Sequence, residues 1–219
     1  MALSVNDISN LPLFIGLTQS ELKDIATLTH FDHRHHKKGF CFIKEYSLCN
    51  SLVFVIRGRV AVDTYTNNRS YHVTEQVGSP MIIEPDKLFG LTTHYRSSYT
   101  ALTPCDTLAM HKEELMKVLS KHIVARLNFL NIICRKTQHT DSMMWHNNPA
   151  DLKERIVTFI RKHSTHPTGS KTLYIKMAQL AAELHYSRLE VSIALNALQD
   201  EEKIILRRGI IDVPEVQLL

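Results

Sequence analysis

The pattern of hydrophobic and polar positions changes along the chain, and its first part predicts strands. Residues 31 to about 111 form short runs rich in Val, Ile, Thr, Tyr and Phe, separated by turn sequences such as KKG, TNNR and VGSP. Short, closely spaced strands of this kind are typical of a sandwich or a rolled barrel. In VFVIRGRVAVDTY, two strands meet at a tight corner at Gly58. A short helix precedes the strands, because Thr18 and Glu21 form a capping-box pattern.

From residue 112 the pattern becomes helical, and a long stretch contains neither Pro nor Gly. If unbroken, this helix would be roughly 50 Å long at ~1.5 Å per residue. Ile123, Leu127, Leu130 and Cys134 recur at alternating spacings of four and three, which is the pattern of a helix seam. We predict that these four residues form the seam of a homodimer. The alternative is a helix that lies along its own barrel.

The last part of the chain predicts two short helices and a strand pair. NNPAD at 147–151 ends the long helix, and only HYS separates the next-to-last predicted helix from the last one. Helices joined this tightly cross at a steep angle, as in a helix-turn-helix. His185 stands where the left-handed turn favours Gly, and Ser187 caps the second helix. The inner faces of the two helices are formed by Leu180, Ala181, Leu184, Val191, Ala194, Leu195 and Leu198.

The outward positions of the second helix favour contact with DNA. In the major groove Arg reads guanine, Asn or Ser reads bases less selectively, and an apolar side chain contacts the thymine methyl. The following strand pair can act as a wing that lays two arginines against phosphate. The alternative is a helical hairpin packed inside a larger fold. The predicted DNA-binding residues are Ser187, Arg188, Leu189, Ser192, Ile193, Asn196, Arg207 and Arg208.

Composition and charge exclude few classes of protein. The 219 residues are 44% hydrophobic, and the net charge of +4 permits a nucleic-acid partner without requiring one. The sequence contains no run of 18 apolar residues and begins without the pattern of a secretion signal. We therefore expect a cytoplasmic protein with no membrane partner. The scattered cysteines predict reduced thiols and neither disulfides nor an iron–sulfur cluster; they are Cys41, Cys49, Cys105 and Cys134.

Metal binding and catalysis are weakly indicated. The segment HFDHRHHKKG holds four histidines, of which His33 and His35 could share one strand face and form half of a metal site. Asp32 is the only evident carboxylate partner, so we expect a solvated edge strand and predict no metal. An enzyme on a cupin-like barrel would need convergent His and Glu ligands, and no Ser-His-Asp or paired-carboxylate pattern is present. We therefore predict no cofactor and no enzymatic activity.

Taken in order, these segments resemble the Crp/Fnr superfamily of bacterial transcription regulators over nearly the full chain. LPLFIGLTQSELKDIA is similar to its opening helix, VFVIRGRVAV to its strand–Gly–strand corner, and LAAELHYSRLEVSIALNALQDEEKII with LRRGIIDV to its recognition motif and wing. The resemblance implies an α+β fold with a cyclic-nucleotide-binding-like β jelly roll at 1–111, a long dimerisation helix at 112–146 and a C-terminal winged helix-turn-helix at 147–219. It also implies a homodimeric regulator that binds double-stranded DNA.

The segment that matches the effector site departs from the family pattern. In members that bind cyclic nucleotides, a Gly-Glu pair binds the ribose hydroxyl, and an Arg with backbone amides binds the cyclic phosphate. Here the Gly-Glu position reads Glu84-Pro85, and Pro85 can neither accept the hydroxyl bond nor donate an amide. A gapless alignment places Tyr95 in the Arg position, next to Arg96 and Ser97. We predict an effector pocket of Glu84, Arg96 and Ser97 that does not bind cyclic nucleotide.

Two questions stay open in the sequence. A degenerate pocket fits either a constitutive DNA binder or a pocket for a different small-molecule effector of unknown identity. Residues 146–219 carry ten Lys and Arg against nine Asp and Glu, which keeps open a sensor or protein-interaction module whose winged helix has lost DNA affinity. A DNA-binding regulator and such a module differ in whether positive charge collects on the recognition face, at Arg188, Arg207, Arg208, Lys171 and Lys176.

Ile193 stands where familiar family members carry Arg, so we expect an operator unlike the standard family site.

Overall fold

The structure is a computed structural model that describes residues 8–145 and 149–219. In these ranges two short 3-10 turns, Pro85–Lys87 and Val216–Leu218, accompany the regular elements. The helices are α1 (Gln19–Leu28), α2 (Lys112–Lys121), α3 (Ile123–Trp145), α4 (Leu152–Lys162), α5 (Met177–Leu184) and α6 (Arg188–Asp200). The strands are β1 (Phe31–His36), β2 (Cys41–Ile43), β3 (Ser51–Arg57), β4 (Arg59–Tyr65), β5 (His72–Gly78), β6 (Met81–Ile83), β7 (Ser98–Ala101), β8 (Cys105–His111), β9 (Lys171–Tyr174), β10 (Ile205–Arg207) and β11 (Ile210–Val213).

The chain divides into two compact units. The first unit combines the described part of Met1–Val60 with Gly78–Met144, and the second combines Ala61–Val77 with the described part of Trp145–Leu219. The division therefore falls inside β4 and β5, so that most of this hairpin belongs with the C-terminal residues. The sequence pattern places the hairpin wholly within 1–111. The three predicted domain ranges stay a prediction.

The first unit has a jelly-roll-like core of antiparallel strands. One sheet has the order β1-β8-β3-β6, and β2 pairs with β7 outside it. Phe14, Phe54 and Leu108 are fully buried in this unit, and the Phe14 and Phe54 rings lie 6.0 Å apart between centroids. The corner at Gly58 is confirmed: its φ is +100°, and an added Cβ would lie 2.6 Å from both the Cys105 Sγ and the Pro104 carbonyl oxygen. Only glycine fits this turn between β3 and β4.

The predicted continuous helix after the strands is two helices, separated at His122. Its backbone is extended, with φ −114° and ψ 104°, and its side chain is only 6% exposed. The His122 Nδ1 lies 3.6 Å from the Glu21 carboxylate, which belongs to α1. The chain turns here because the imidazole is buried beside another helix. A long-range contact of this kind leaves no signal in helical periodicity.

The second unit is built on an antiparallel sheet with the strand order β10-β11-β9-β5-β4. In its register Val73 lies opposite Leu173, and Glu75 lies opposite Lys171. The side chains on this face are buried and join the apolar faces of α4, α5 and α6 in one core. This core includes Tyr71, Val73, Ile156, Phe159, Leu173, Leu184, Leu195 and Ile211.

A buried ion pair fastens β5 to β9 on this inner face. The Lys171 Nζ lies 2.7 Å from the Glu75 Oε1, and both side chains are fully buried. The backbone N–H groups of Thr165 and His166 donate to the same carboxylate at 2.9 and 3.0 Å, and Lys171 also donates to the Thr168 carbonyl at 2.8 Å. Burial raises the pKa of Glu75, but the His166 and Lys171 groups outweigh it and lower this pKa to about 2. The carboxylate is therefore ionised and satisfied inside the core.

An aromatic column fastens the same strands on the outer face. The His72 ring stacks on Tyr65 at 4.6 Å and on Tyr174 at 4.3 Å between ring centroids. The Arg69 guanidinium covers the Tyr65 ring at 4.8 Å. Burial lowers the pKa of His72, which favours the neutral ring inside the stack. Because neighbouring strand residues alternate between faces, the column and the ion pair hold the hairpin from opposite sides.

Glu75→Gln tests the buried ion pair through the pH dependence of stability. The folded pKa of about 2 lies below the ordinary value of 4.5, so the carboxylate stabilises the fold above pH 4.5 by on the order of 3 kcal/mol. This contribution is lost as the pH falls toward 2. Urea unfolding of wild type and variant should therefore show a difference that shrinks from pH 5 to pH 2. The exposed Glu202→Gln serves as control, and a constant difference over this range would contradict the assignment.

Candidate functional site

The helix pair α5 and α6 meets at a turn of three residues, His185 to Ser187. His185 ends α5 in the left-handed conformation, with φ 60° and ψ 42°, as the sequence predicts. The Ser187 side chain accepts from the Glu190 N–H at 3.2 Å, and the Glu190 carboxylate accepts from the Ser187 N–H at 2.9 Å. The predicted capping box is thus confirmed. These hydrogen bonds to Ser187 lower the pKa of Glu190 and keep it ionised at the helix start.

The two faces of α6 differ sharply in exposure. All seven predicted inner-face residues of α5 and α6 are buried. On the opposite face Leu189 is 70% exposed and Ile193 is 61% exposed, although both are large and apolar. Arg188 and Asn196 are exposed beside them, and Ser192 is half-buried. The N-terminal half of α6 therefore presents a mixed apolar and polar surface that the described residues leave exposed.

The five cations that the sequence leaves as candidates for the recognition face differ in burial and pairing. The strand pair β10–β11 carries Arg207, whose Nε donates to the Asp212 Oδ2 at 2.8 Å. Its charge is thus shared with a carboxylate of the same hairpin. Lys171 is buried beside Glu75, so it adds no charge to an exposed recognition face. Arg188, Arg208 and Lys176 are exposed.

Two contacts that sequence reasoning missed position α6. The Gln199 Oε1 accepts from the Leu206 N–H at 2.8 Å, which links the end of α6 to the start of the strand pair. The Arg155 guanidinium lies 5.3 Å from the centroid of the Tyr186 ring and holds the turn against α4. Both pairs join residues that no local periodicity relates, so only the fold reveals them.

The predicted effector residues come together in the first unit. Glu84 is 6% exposed, and its carboxylate accepts from the Arg96 N–H at 2.7 Å and the Ser97 N–H at 3.0 Å. The Tyr99 hydroxyl, which the sequence analysis did not single out, donates to the same carboxylate at 3.1 Å. The Arg96 guanidinium contacts the Glu45 carboxylate at 3.5 Å. The three residues predicted to form an effector pocket are thus hydrogen-bonded to one another.

Tyr95 occupies the position that matches the family arginine. It is 5% exposed, and its hydroxyl donates to the Ser51 carbonyl at 3.4 Å. Burial raises the pKa of Tyr95, so the group stays neutral. A neutral, buried phenol cannot supply the positive charge that a bound phosphate needs.

Helix α3 divides into a covered and an uncovered face. Ala125 and Phe129 are buried in the first unit, and the Asn128 side chain donates to the carbonyls of Leu13 and Ile15 at 3.0 and 2.8 Å. The predicted seam residues lie on the other face. Ile123, Leu127 and Leu130 are 53%, 51% and 52% exposed, and Cys134 is exposed as well.

The histidine segment forms β1, at the edge of its sheet. His33 and His35 are exposed, and the His35 Nδ1 lies 2.7 Å from Asp106. His36 is buried and contacts the Thr107 hydroxyl at 2.9 Å. Within the described residues, no group of three or more His, Cys, Asp or Glu side chains could hold a metal ion. All four cysteines are free thiols.

No helix in the described part of the chain combines the length and the apolar character needed to cross a membrane.

Comparison with known proteins relates the chain to bacterial regulators along most of its length. No family profile matches it. It is 26% identical over 213 residues to the "Cyclic AMP receptor protein" of Thermus thermophilus, covering 95% of this chain and 94% of that protein. The crystal structure of the Thermus thermophilus catabolite activator protein matches with a TM-score of 0.54 and 21% identity over 94% of this chain and 95% of that chain. The c-di-GMP-responsive global regulator CLP of Xanthomonas campestris matches with a TM-score of 0.51 and 16% identity over 90% of this chain and 99% of that chain.

His185→Gly tests the left-handed turn that joins α5 to α6. Because glycine adopts this conformation without a steric cost, the variant should raise the free energy of unfolding by roughly 0.5–1 kcal/mol in urea denaturation. Ala182→Gly places the same residue at an exposed helical position of α5, where glycine should lower stability by about 1 kcal/mol. A His185→Gly protein as destabilised as Ala182→Gly would contradict the turn.

Proposed function

We propose, from the premise that the chain is a member of the Crp/Fnr superfamily, that it is a homodimeric, sequence-specific DNA-binding transcriptional regulator. It acts in the cytoplasm, carries no enzymatic activity and works without activation by cyclic nucleotide. The observation that carries the proposal is the uncovered face of α6, where Leu189 and Ile193 are exposed beside Arg188. Exposed large apolar residues on a firmly held helix favour a partner surface.

Each exposed group of this surface suits a part of the DNA. In this proposal α5, the turn, α6 and β10–β11 form a winged helix-turn-helix, and the N-terminal half of α6 enters the major groove. Arg188 binds guanine, Ser192 and Asn196 contact base edges, and Leu189 and Ile193 pack against thymine methyl groups. Ser187 and Arg208 contact phosphates, while Arg207 must share its charge between Asp212 and phosphate.

The exposed seam on α3 supports dimerisation. Two copies of the chain would bury Ile123, Leu127, Leu130 and Cys134 against each other, as in a two-helix seam. The opposite face of α3 packs against the rest of the first unit, so these four exposed residues are available to a second copy. A two-fold dimer would place two α6 helices on half-sites about one helical turn apart, or a multiple of this.

The effector pocket supports a regulator that does not use cyclic nucleotide. The donors that the family pattern assigns to the cyclic phosphate, the amides near Arg96 and Ser97, already bind the Glu84 carboxylate. Pro85 removes the ribose contact, and buried Tyr95 replaces the expected positive charge. A bound phosphate would bring a second negative charge against a buried carboxylate, which is unfavourable.

The alternative is a sensor or protein-interaction module that has lost DNA affinity. The specific observation in its favour is that two of the five cations considered for the recognition face are not free, since Lys171 is buried beside Glu75 and Arg207 is paired with Asp212. In that case the apolar face of α6 would bind a protein surface. Measurements of DNA binding separate the two functions.

Selection of genomic fragments tests DNA recognition. The purified full-length protein, without added effector, should enrich an inverted repeat at moderate salt. On the recovered site Arg188→Ala should weaken binding by ~1–3 kcal/mol, because one base contact is lost. Lys162→Ala, which removes an exposed cation outside α6, should change affinity much less. Failure to enrich any consensus would favour the protein-interaction module.

The double variant Leu127→Asp with Leu130→Asp tests the seam. Two buried carboxylates at an apolar interface should convert the dimer to a monomer, measured by light scattering after gel filtration. Arg135→Asp, at an exposed position of α3 outside the seam, should leave the dimer intact. A wild-type protein that is monomeric at micromolar concentration would contradict the assignment.

A further inference from the structure

The Glu84 carboxylate occupies a site made of three hydrogen-bond donors in the first unit. The Arg96 and Ser97 N–H groups donate to it at 2.7 and 3.0 Å, and the Tyr99 hydroxyl donates at 3.1 Å. These donors are neutral groups, and the carboxylate is almost fully buried. Successive backbone N–H groups that point at one acceptor form a concave site suited to oxyanions. We call these three donors the anion nest.

The backbone at Glu84 is strained in a way that its side chain compensates. Its φ is 33° and its ψ is 58°, a left-handed conformation that L-residues rarely adopt. The next residue is Pro85, which further disfavours a helical conformation at the preceding position. Glycine would take this conformation freely, and the family pattern places Gly here. A strained backbone conformation persists where the surrounding contacts hold it in place, and at Glu84 the hydrogen bonds of the anion nest do so.

The contacts of Glu84 close a loop between two strands. Glu84 directly follows β6, while Arg96 and Ser97 directly precede β7. One carboxylate therefore joins both ends of residues 85–95. By resemblance, this segment holds the effector in related regulators. In this chain the Glu84 carboxylate joins the two ends of the segment, which the anionic group of a bound effector would otherwise do.

We infer that Glu84 is a built-in oxyanion that fills the anion nest and holds the two ends of residues 85–95 together. A small carboxylate or phosphate takes this place only when the Glu84 side chain is removed. The consequence for regulation, a DNA-binding protein that needs no anionic effector, rests on the proposed function. The occupancy of the nest does not depend on it.

Chemical rescue of Glu84→Gly in the full-length protein tests this inference. Gly removes the carboxylate and accepts the left-handed backbone, so a loss of stability reports the missing anion rather than strain. The melting temperature should fall by roughly 5 °C in sodium chloride. Sodium acetate or phosphate at equal ionic strength should restore at least half of the loss, whereas neither should shift the wild type. Rescue by acetate, by phosphate or by both identifies the oxyanion that the nest accepts.

Two further variants keep the test decisive. Glu84→Gln should also melt at a lower temperature, but without rescue, because its amide fills the space that the added anion needs. Tyr99→Phe removes one donor while the carboxylate stays, so it should cause a smaller loss that no anion restores. The exposed Glu113→Gln in the same unit should not respond to oxyanions.

Three results would overturn the inference. They are a Glu84→Gly protein as stable as wild type, a loss that is the same in chloride, acetate and phosphate, and an unchanged melting temperature for Tyr99→Phe. Failure of the wild type to bind any DNA together with oxyanion rescue of Glu84→Gly would contradict the proposed function and leave the anion nest standing. The two failures are therefore distinguishable.

Discussion

The three-residue connection between α5 and α6 is the constraint on which the candidate site depends. With so short a turn, the buried residues of both helices fix the crossing, and the crossing fixes which face of α6 is uncovered. The left-handed His185 and the Ser187 cap hold the connection, and Gln199 ties the far end of α6 to β10–β11. Leu189 and Ile193 are exposed as a consequence of this packing. A surface held so firmly is suited to rigid recognition of a groove.

In both units a buried carboxylate has its hydrogen bonds satisfied by donors of the chain itself. Glu75 is ionised inside the second core because Lys171 and two backbone amides satisfy it. Glu84 is buried in the first unit because the anion nest satisfies it. Glu75 joins segments that lie far apart in sequence, whereas Glu84 joins the two ends of one loop. Burying these charges is tolerable only with complete hydrogen bonding, which makes each position sensitive to a single substitution.

Local features of the fold could be predicted from the sequence, and non-local ones could not. The caps at Thr18 and Ser187 and the turn at His185 depend on residues within a few positions of one another. The strand–Gly–strand pattern marks the corner at Gly58, although the side chain that this corner excludes would meet Pro104 and Cys105. The break at His122 and the burial of Lys171 depend on partners roughly a hundred residues away. Periodicity contains no information about such partners, so the sequence alone predicts neither the break at His122 nor the burial of Lys171.

The pairing of β5 with β9 shows the same limit at the level of whole elements. Alternation in residues 72–78 predicts a strand but not its neighbour, and the natural neighbour along the chain is another strand of the barrel. The structure pairs it with β4, its neighbour along the chain, and also joins it to β9 through Glu75–Lys171 on one face and His72–Tyr174 on the other. The three residues that the resemblance assigned to an effector pocket lie together in the structure, and their role in binding an effector stays a prediction. The inward turn of the Glu84 side chain and the role of Tyr99 depend on contacts that only the folded chain makes.

The most direct test of the central claim is a titration of the wild-type protein against a labelled duplex that carries the selected inverted repeat. Fluorescence anisotropy at several salt concentrations, without nucleotide or other effector, measures affinity, stoichiometry and the number of phosphate contacts together. The account predicts two chains per duplex, binding at least roughly a thousandfold tighter than to a scrambled duplex, and a steep loss of affinity with salt. Equal affinity for both duplexes, or binding that appears only when a cyclic nucleotide is added, would contradict it.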